Sequence, residues 1–177
     1  MTIQFSSIQY ITAIFLASLL SACGGSPTID DINSSSTTIK DYAVVGSDAA
    51  DSTGQIPINS GVNGGAFKVT WDVDSSDPYR AELYLSTDST LDRSNDINIF
   101  GTNCGSISLL YYCGAQADFD CRFTNENKMS CHTVNSANLE RDLTGFLDTI
   151  PKSAYLILYA CDLSFQCKES AVAVTMF

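Results

Sequence analysis

Hydrophobic and polar residues alternate with a period of two along much of the chain. Residues 66–73 place Phe, Val, Trp and Val at every second position, with Ala, Lys, Thr and Asp between them. Residues 80–86 and 170–176 show the same alternation. Successive side chains of an extended chain point to opposite sides, so this pattern is typical of strands with one buried face. It predicts a β-strand in each segment.

A fourth segment, residues 154–161 (AYLILYAC), is apolar at nearly every position. A strand that is buried on both faces has this composition, so the segment predicts a central strand. Residues that favour turns separate the predicted strands at 59–65, 74–78, 86–96 and 101–105. No segment of ten residues has a convincing helical pattern. The predicted fold class is all-β, arranged as a sandwich of two sheets.

The amino-terminal region departs from this alternation. Residues 11–20 are apolar except for Thr12 and Ser18. Ten residues of helix rise only about 15 Å, which is half the thickness of a bilayer core. A run of this length is typical of a secretory signal peptide, and the small residues Ser21 and Ala22 follow it, as signal peptidase requires. The sequence therefore predicts a signal peptide over residues 1–22.

Residues 20–23 (LSAC) resemble the lipobox of bacterial lipoproteins. In that family the cysteine receives diacylglycerol, the chain is cut before it, and the new amino terminus is acylated, as with palmitate. The resemblance implies that Cys23 carries lipid and that the membrane is a partner through this anchor. Gly24 stands where an Asp would retain a lipoprotein at the inner membrane, which implies the outer membrane. The first ten residues contain no Lys or Arg, which departs from the usual signal peptide.

Residues 23–40 are predicted to form the lipidated cysteine and a flexible tether, because Ser, Thr, Gly and Asp dominate them. A tether of this length spans about 20–25 Å on average. The remaining residues, 41–177, have the size of one domain. The net charge of −11 repels phosphate groups, so nucleic acid is excluded as a partner.

Six cysteines remain when Cys23 is set aside: Cys104, Cys113, Cys121, Cys131, Cys161 and Cys167. An even number in an exported protein predicts three disulfides. Cys161 and Cys167 flank five residues between the last two predicted strands. Because a hairpin loop of that length brings its ends together, these two cysteines are predicted to pair.

The other four cysteines allow two arrangements. If residues 107–112 form one extended strand, Cys104 and Cys113 lie about 30 Å apart, at roughly 3.3 Å per residue. A disulfide needs Cα atoms within about 7 Å. This argument favours Cys113–Cys121 together with Cys104–Cys131. The alternative is Cys121–Cys131 across a hairpin, which requires a bend between Cys104 and Cys113.

The order and spacing of the predicted strands resemble a fibronectin type III or related immunoglobulin-like domain. The strand of Trp71 looks like the second strand of that family, and residues 142–162 look like the crossing into the sixth strand. In the family a Pro stands four residues before a corner Tyr, as Pro151 and Tyr155 do here. Thr149 replaces the usual leucine at this corner. The resemblance implies an immunoglobulin-like β-sandwich.

Residues 101–138 exceed the length of such a domain and hold four of the six distal cysteines. They are predicted to form a short meander, which is an insert stapled by disulfides. A small module buries too little apolar surface to be stable through its core alone, so disulfide bonds supply part of its stability.

The sequence contains no pattern that predicts catalysis or a resident cofactor. G-x-S-x-G and C-x-x-C motifs are absent, and His132 is the only histidine, so a serine nucleophile and a zinc site are not predicted. Lys128 occupies the position where a haem-attachment motif ending at His132 needs a cysteine. The acidic runs 72–77 and 88–96 lack the spacing of an EF-hand, so they are interpreted as solvated loops rather than calcium ligands.

These features suggest a non-catalytic envelope lipoprotein that binds a protein partner or serves as a structural accessory. The alternative is a carbohydrate-binding or adhesion module, which would need a platform of exposed aromatic rings. Tyr112 could contribute to such a platform together with Tyr84 or Phe119. Phe165, in the loop between Cys161 and Cys167, is the second candidate binding residue. Its ring either folds down to cap the end of the sandwich, which we favour, or is exposed for binding.

Overall fold

Ten β-strands and one 3-10 turn, Asn63–Gly65, make up the regular structure of the described residues. The computed structural model describes residues 36–49, 52–105, 113, 117–133 and 139–177. In chain order the strands are β1 (Thr38–Val45), β2 (Ile56–Ile58), β3 (Ala66–Asp74), β4 (Tyr79–Ser86), β5 (Ile97–Cys104), β6 (Ala117–Phe123), β7 (Lys128–His132), β8 (Leu139–Asp142), β9 (Lys152–Asp162) and β10 (Cys167–Met176). The all-β class predicted from the alternation is confirmed.

The strands form two five-stranded sheets that share one hydrophobic core. The first sheet has the order β1-β3-β6-β7-β8, and the second has the order β2-β10-β9-β4-β5. Strand β2 runs parallel to the end of β10. The other neighbours pair antiparallel. The two layers with a common core are a β-sandwich.

The core follows the alternation of the sequence. Phe67, Val69 and Trp71 of β3 are buried, as predicted. The centroid of the Trp71 ring lies 4.3 Å from that of Phe119 in β6. The centroid of the Phe119 ring in turn lies 5.0 Å from that of Phe100 in β5. Because β5 belongs to the opposite sheet, this row of rings crosses the sandwich and packs its two layers together.

Strand β9 is the central strand that its apolar sequence predicts, since it lies between β4 and β10. Leu156 and Leu158 are buried, and so is Ile157, whose side chain points to the other face of the sheet. Both faces of β9 are therefore covered in its middle.

Two sequence-based boundaries need correction. Strand β1 begins at Thr38, so the last three residues of the predicted tether belong to the first sheet. The predicted insert, residues 101–138, is not separate from the sandwich in its described part either: β6 pairs along six positions with β3, and β7 follows in the same sheet. Phe119, Phe123 and Met129 are fully buried in the common core, so this segment is part of the sandwich.

Three disulfides join the distal cysteines. Cys161 pairs with Cys167, as predicted, and these residues are directly opposite each other in β9 and β10. The favoured pairing of the other four cysteines is wrong. The bridges are Cys104–Cys113 and Cys121–Cys131, with Cα–Cα distances of 5.0 and 4.1 Å. The hairpin of β6 and β7 places Cys121 and Cys131 at opposed positions, which decides the arrangement.

Candidate functional site

A cleft of about 760 Å³ lies on the outer face of the second sheet. It is bordered by β4, by the end of β5, by β9 and by the loop that joins β9 to β10. Its lining combines the charged side chains of Arg80, Glu82 and Arg93 with the rings of Tyr159 and Phe165. The outer face of a sandwich sheet is ordinarily open to water, so a concave site with charged and aromatic groups is a candidate for binding.

Glu82 is the centre of this cleft. Its neighbours Ala81 and Leu83 point into the core, so its own side chain points outward, yet only 7% of the residue is exposed. Glu82 Oε1 accepts a hydrogen bond from Arg80 Nε at 2.7 Å. Glu82 Oε2 accepts from the Tyr84 hydroxyl at 2.9 Å and from Arg93 Nη2 at 3.3 Å. The carboxylate is therefore buried beneath two guanidinium groups.

The charge of Glu82 is set by opposing effects. Burial raises the pKa of Glu82, because a low-dielectric site disfavours the ionised carboxylate. Hydrogen bonds from Arg80 and Tyr84, together with the positive charges of Arg80 and Arg93, lower it by more. The pKa of Glu82 is held below its ordinary value, and the group is ionised at neutral pH.

Arg93 connects the loop after β4 to strand β9. Its Nε donates to the Tyr84 hydroxyl at 3.1 Å, and its guanidinium carbon lies 5.2 Å from the centroid of the Tyr159 ring. A cation held over an aromatic face at this distance contributes about 0.5–1 kcal/mol at exposed sites. These contacts fix the guanidinium over the sheet.

Gly101 provides the space in which Arg80 lies. It stands directly opposite Glu82 in the pairing of β4 with β5. A Cβ atom at Gly101 would lie 2.7 Å from Arg80 Nη2 and 3.2 Å from Glu82 Cγ. Without that atom, the guanidinium of Arg80 lies across β5, and its Nη1 donates to Asn103 Oδ1 at 3.4 Å.

The loop from β9 to β10 forms one wall of the cleft and is held by Asp162. One carboxylate oxygen, Oδ1, accepts from the backbone N–H groups of Ser164 and Gln166, each at 2.9 Å. The other, Oδ2, accepts from the Thr37 hydroxyl at 2.7 Å. The Cys161–Cys167 disulfide closes the base of the same loop. Backbone, carboxylate and disulfide together fix its conformation.

Phe165 is exposed at the tip of this loop. Its residue exposure is 85%, and that of Leu163 is 72%. The interpretation that Phe165 caps the sandwich end is therefore wrong, because its ring points into solvent at the rim of the cleft. Its φ angle of 60° lies in the left-handed region, which aromatic residues rarely adopt. The N–H of Phe165 donates to the Asp162 carbonyl at 3.1 Å, and this bond helps hold the backbone in that conformation.

The other sequence candidates are placed differently. Cys23 and Tyr112 lie outside the described residues. Phe119 is fully buried in the core, so it cannot join an exposed aromatic platform. Tyr84 lies on the outer face, but it is buried and its hydroxyl is bound to Glu82 and Arg93. Cys104 lines the cleft, where its disulfide to Cys113 borders the end of β5.

The acidic runs are occupied by contacts within the protein. Asp74 pairs with Lys40 at 3.0 Å. Asp92 accepts hydrogen bonds from the side chains of Ser94 and Asn95 within its own loop. Among the described residues, no group of three or more His, Cys, Asp or Glu side chains is placed to hold a metal ion. In the same part of the chain, no helix is long and apolar enough to cross a membrane.

Sequence reasoning missed most of the cleft. Residues 80, 82 and 84 were interpreted as the polar face of an ordinary strand. The signal within β4 is a Glu placed between Arg and Tyr on the outward face, since a carboxylate that becomes buried needs such partners. Arg93 and Tyr159 come from a loop and a distant strand, so only the fold brings them to Glu82.

No protein-family model, no curated protein and no solved structure matches this chain.

Proposed function

We propose that this protein is a non-catalytic lipoprotein of the bacterial cell envelope that binds a partner protein through the cleft on its second sheet. The observation that carries the proposal is Phe165, which is exposed on a fixed loop at the rim of the cleft. A rigid aromatic side chain loses little conformational entropy on binding, and aromatic residues are enriched among binding hot spots. Arg80 and Arg93, also enriched types at interfaces, lie beside it.

We further infer that the sandwich is of the immunoglobulin-like type. In that fold strands A, B and E share one sheet, and strands C, F and G share the other. Strands β1, β3 and β6 have the first arrangement, and β4, β9 and β10 have the second. Strand β5, beside β4, corresponds to C′. Strands β7 and β8 extend the first sheet beyond the position of E, where the family has strand D.

The proposal places the protein at the outer membrane, anchored through lipid on Cys23. It is supported by the apolar run, the LSAC sequence and Gly24 after the cysteine. Thr37, the residue before β1, is bound to Asp162 in the loop of Phe165. The chain therefore enters the folded domain at the same end as the proposed binding site, which supports a partner in the same membrane.

A carbohydrate-binding or adhesion function is the second candidate. Tyr159 and Phe165 line the same cleft, and aromatic rings in a cleft favour stacking against sugar rings. One face of Tyr159 is covered by Arg93, which leaves a smaller aromatic surface than a sugar platform uses. Protein binding is therefore the better supported function.

Replacing Phe165 tests the proposed function. We expect Phe165→Ala to leave the melting temperature nearly unchanged, because the ring contacts little of the fold. We expect it to weaken partner capture at least tenfold, which is about 1.4 kcal/mol. The measurement is affinity purification of the tagged lipoprotein from detergent-solubilised membranes, with partners identified by mass.

The matched control is Val45→Ala, which removes an exposed apolar side chain from the opposite end of β1 and should leave capture intact. A stable Phe165→Ala protein with undiminished capture would remove Phe165 from the binding site. Retention of the wild-type protein on a polysaccharide matrix, lost on Phe165→Ala, would favour the carbohydrate function instead.

A further inference from the structure

Two arginines of the cleft share a single carboxylate partner, although the protein as a whole is strongly acidic. Among the described residues, Lys40 and Lys152 each pair with one carboxylate, and Lys68 and Lys128 each pair with two. Arg80 and Arg93 instead share the single carboxylate of Glu82. These three groups form a cluster with a net charge of +1, whereas the whole chain carries −11. Asp162, the other charged residue of the lining, brings the lining as a whole to zero, and its carboxylate is bound to the loop N–H groups and to Thr37.

Both guanidinium groups keep hydrogen-bonding capacity for a ligand. An arginine side chain has five N–H donors. Arg80 uses two of them on Glu82 and Asn103, and Arg93 uses two on Tyr84 and Glu82. Within the described part of the chain, the remaining donors have no acceptor. The side chains are about half exposed, at 50% and 58%, so these donors face the solvent of the cleft.

We propose that the cleft binds a carboxylate, and that this carboxylate belongs to an acidic side chain of a peptide segment in the partner. The inference rests on the proposed protein-binding function and names the chemistry that is recognised. A carboxylate between Arg80 and Arg93 gives each guanidinium a planar acceptor, and such pairs are often bidentate. It also balances the charge, with two cations facing two anions.

The exposed apolar side chains define what lies next to the carboxylate. Phe165 and Leu163 stand at the rim, on the loop that forms one wall. A ligand that reaches the arginines therefore passes over an apolar surface. The recognised segment has an acidic residue with an apolar or aromatic residue close to it in sequence.

Charge distinguishes this ligand from other anions. The cluster of Arg80, Glu82 and Arg93 has an excess of one positive charge, which matches a monoanionic carboxylate better than a phosphate group. Around the cleft, the net charge of −11 repels polyanions such as polyuronates and anionic lipid surfaces. A single carboxylate in a mostly uncharged segment avoids that repulsion.

The test uses the lipoprotein in detergent micelles, labelled with ¹⁵N at arginine, so that each side-chain Nε–Hε group gives an NMR signal. The probe is phenylacetate, which joins a carboxylate to an apolar ring, and phenylacetamide is its neutral counterpart. We expect phenylacetate to shift the signals of Arg80 and Arg93, and phenylacetamide to leave them in place. Arg122, exposed on β6 in the other sheet, is the internal control and should not move.

A peptide with one Glu between Leu and Phe identifies the source of the carboxylate. We expect it to bind at least tenfold more tightly than a control peptide in which Gln replaces the Glu. The protein variant Arg93→Gln should bind both peptides equally, whereas Arg122→Gln should retain the tenfold difference. Equal shifts with phenylacetate and phenylacetamide would overturn the carboxylate assignment, as would tighter binding of inorganic phosphate. Tighter binding of trigalacturonate than of the peptide would overturn the peptide source.

The two proposals fail in different ways. If the arginine signals respond to carboxylate but Phe165→Ala captures partners normally, the carboxylate site stands and the role given to Phe165 in partner binding falls. If capture depends on Phe165 but phenylacetate does not shift the NMR signals of Arg80 and Arg93, the partner-binding function is supported and the carboxylate site is refuted.

Discussion

At the scale of single residues, Glu82 determines the shape of the candidate site. Its carboxylate lies on the outer face of β4 but is buried because Arg80, Tyr84 and Arg93 gather over it. Removing one partner of such a network leaves the others with unsatisfied donors, which is more costly than the bond itself. Glu82 therefore positions both arginines for any ligand that enters the cleft.

Replacing Glu82 gives a prediction about acid stability. A carboxyl group with a lowered pKa stabilises the folded state above its unfolded pKa, and this contribution disappears as the pH falls through the folded pKa. We expect Glu82→Gln to lower the free energy of unfolding by about 1–3 kcal/mol at pH 7. The difference from the wild type should shrink as the pH falls through the lowered pKa of folded Glu82, because the wild-type carboxylate then becomes protonated.

Thermal unfolding followed by circular dichroism between pH 7 and pH 2.5 measures this difference. The exposed Glu169→Gln is the control and should unfold like the wild type at each pH. A Glu82→Gln protein whose deficit is the same at pH 7 and at pH 3 would contradict the assignment of Glu82 as an ionised, stabilising group.

At the scale of elements, the hairpin of β9 and β10 carries the proposed binding residue. Its loop is fixed by the Cys161–Cys167 bridge and by the Asp162 carboxylate, which binds two backbone N–H groups of the loop. Two independent interactions therefore stabilise the loop conformation: the disulfide bond and the hydrogen bonds to Asp162. Phe165 depends on both for its left-handed backbone and its outward ring.

The double variant Cys161→Ser with Cys167→Ser tests the covalent contribution. A bridge that closes so short a loop stabilises a fold by about 2 kcal/mol through the unfolded chain. We expect a loss of this size in denaturant unfolding, and weaker partner capture because the loop gains freedom. The variant Cys121→Ser with Cys131→Ser is the comparison: it removes a bridge of the other sheet, so it should lower stability but leave capture by the folded protein unchanged. Equal capture by the two double variants would contradict the role of the loop.

Much of the fold could be predicted from the sequence, because alternation of apolar and polar residues shows which side of each strand is buried. Residues 66–73, 80–86 and 170–176 became strands with the predicted inward side chains. The segment DFDCRF, residues 118–123, carries the same signal, since Phe119, Cys121 and Phe123 point into the core. It was assigned to an insert because alternation reveals a strand but not the strand with which it pairs.

The favoured pairing of Cys104, Cys113, Cys121 and Cys131 is wrong for a related reason. An extended strand over residues 107–112 would hold Cys104 far from Cys113. The Cα atoms of these two cysteines are 5.0 Å apart. The alternative arrangement, with Cys121–Cys131 across a hairpin, is the one observed, because β6 and β7 pair and place these two cysteines opposite each other. The cleft was harder to foresee, because its residues come from β4, β5, β9 and two loops.

At the scale of the whole molecule, the first strand begins at the end of the sandwich that carries the loop of Phe165. Thr37 is bound to Asp162, so the chain enters the domain beside the loop of Phe165. The proposal of a flexible tether between Cys23 and this point implies a reach of about 20 Å on average. A lipid on Cys23 would keep the cleft within a short distance of the bilayer, where membrane-bound partners are concentrated.

Replacing Cys23 tests the anchor on which this arrangement depends. We expect Cys23→Ser to appear in the soluble fraction or as an unprocessed precursor, because lipid is added only to the cysteine. Fractionation of cells followed by immunoblotting measures both outcomes, and Ser21→Ala, which keeps a small residue before the cut, should behave like the wild type. Mature-sized Cys23→Ser in the membrane fraction would show that lipid on this residue is not the anchor.

The most direct test of the central claim places a photo-crosslinking amino acid at position 165 in living cells. We predict a discrete adduct between this protein and an envelope protein, and a loss of this adduct in the Arg93→Gln background. The same crosslinker at position 45, which is exposed at the opposite end of β1, should give no such adduct. A protein adduct of equal yield at both positions, or no protein adduct at position 165, would contradict partner binding at the cleft.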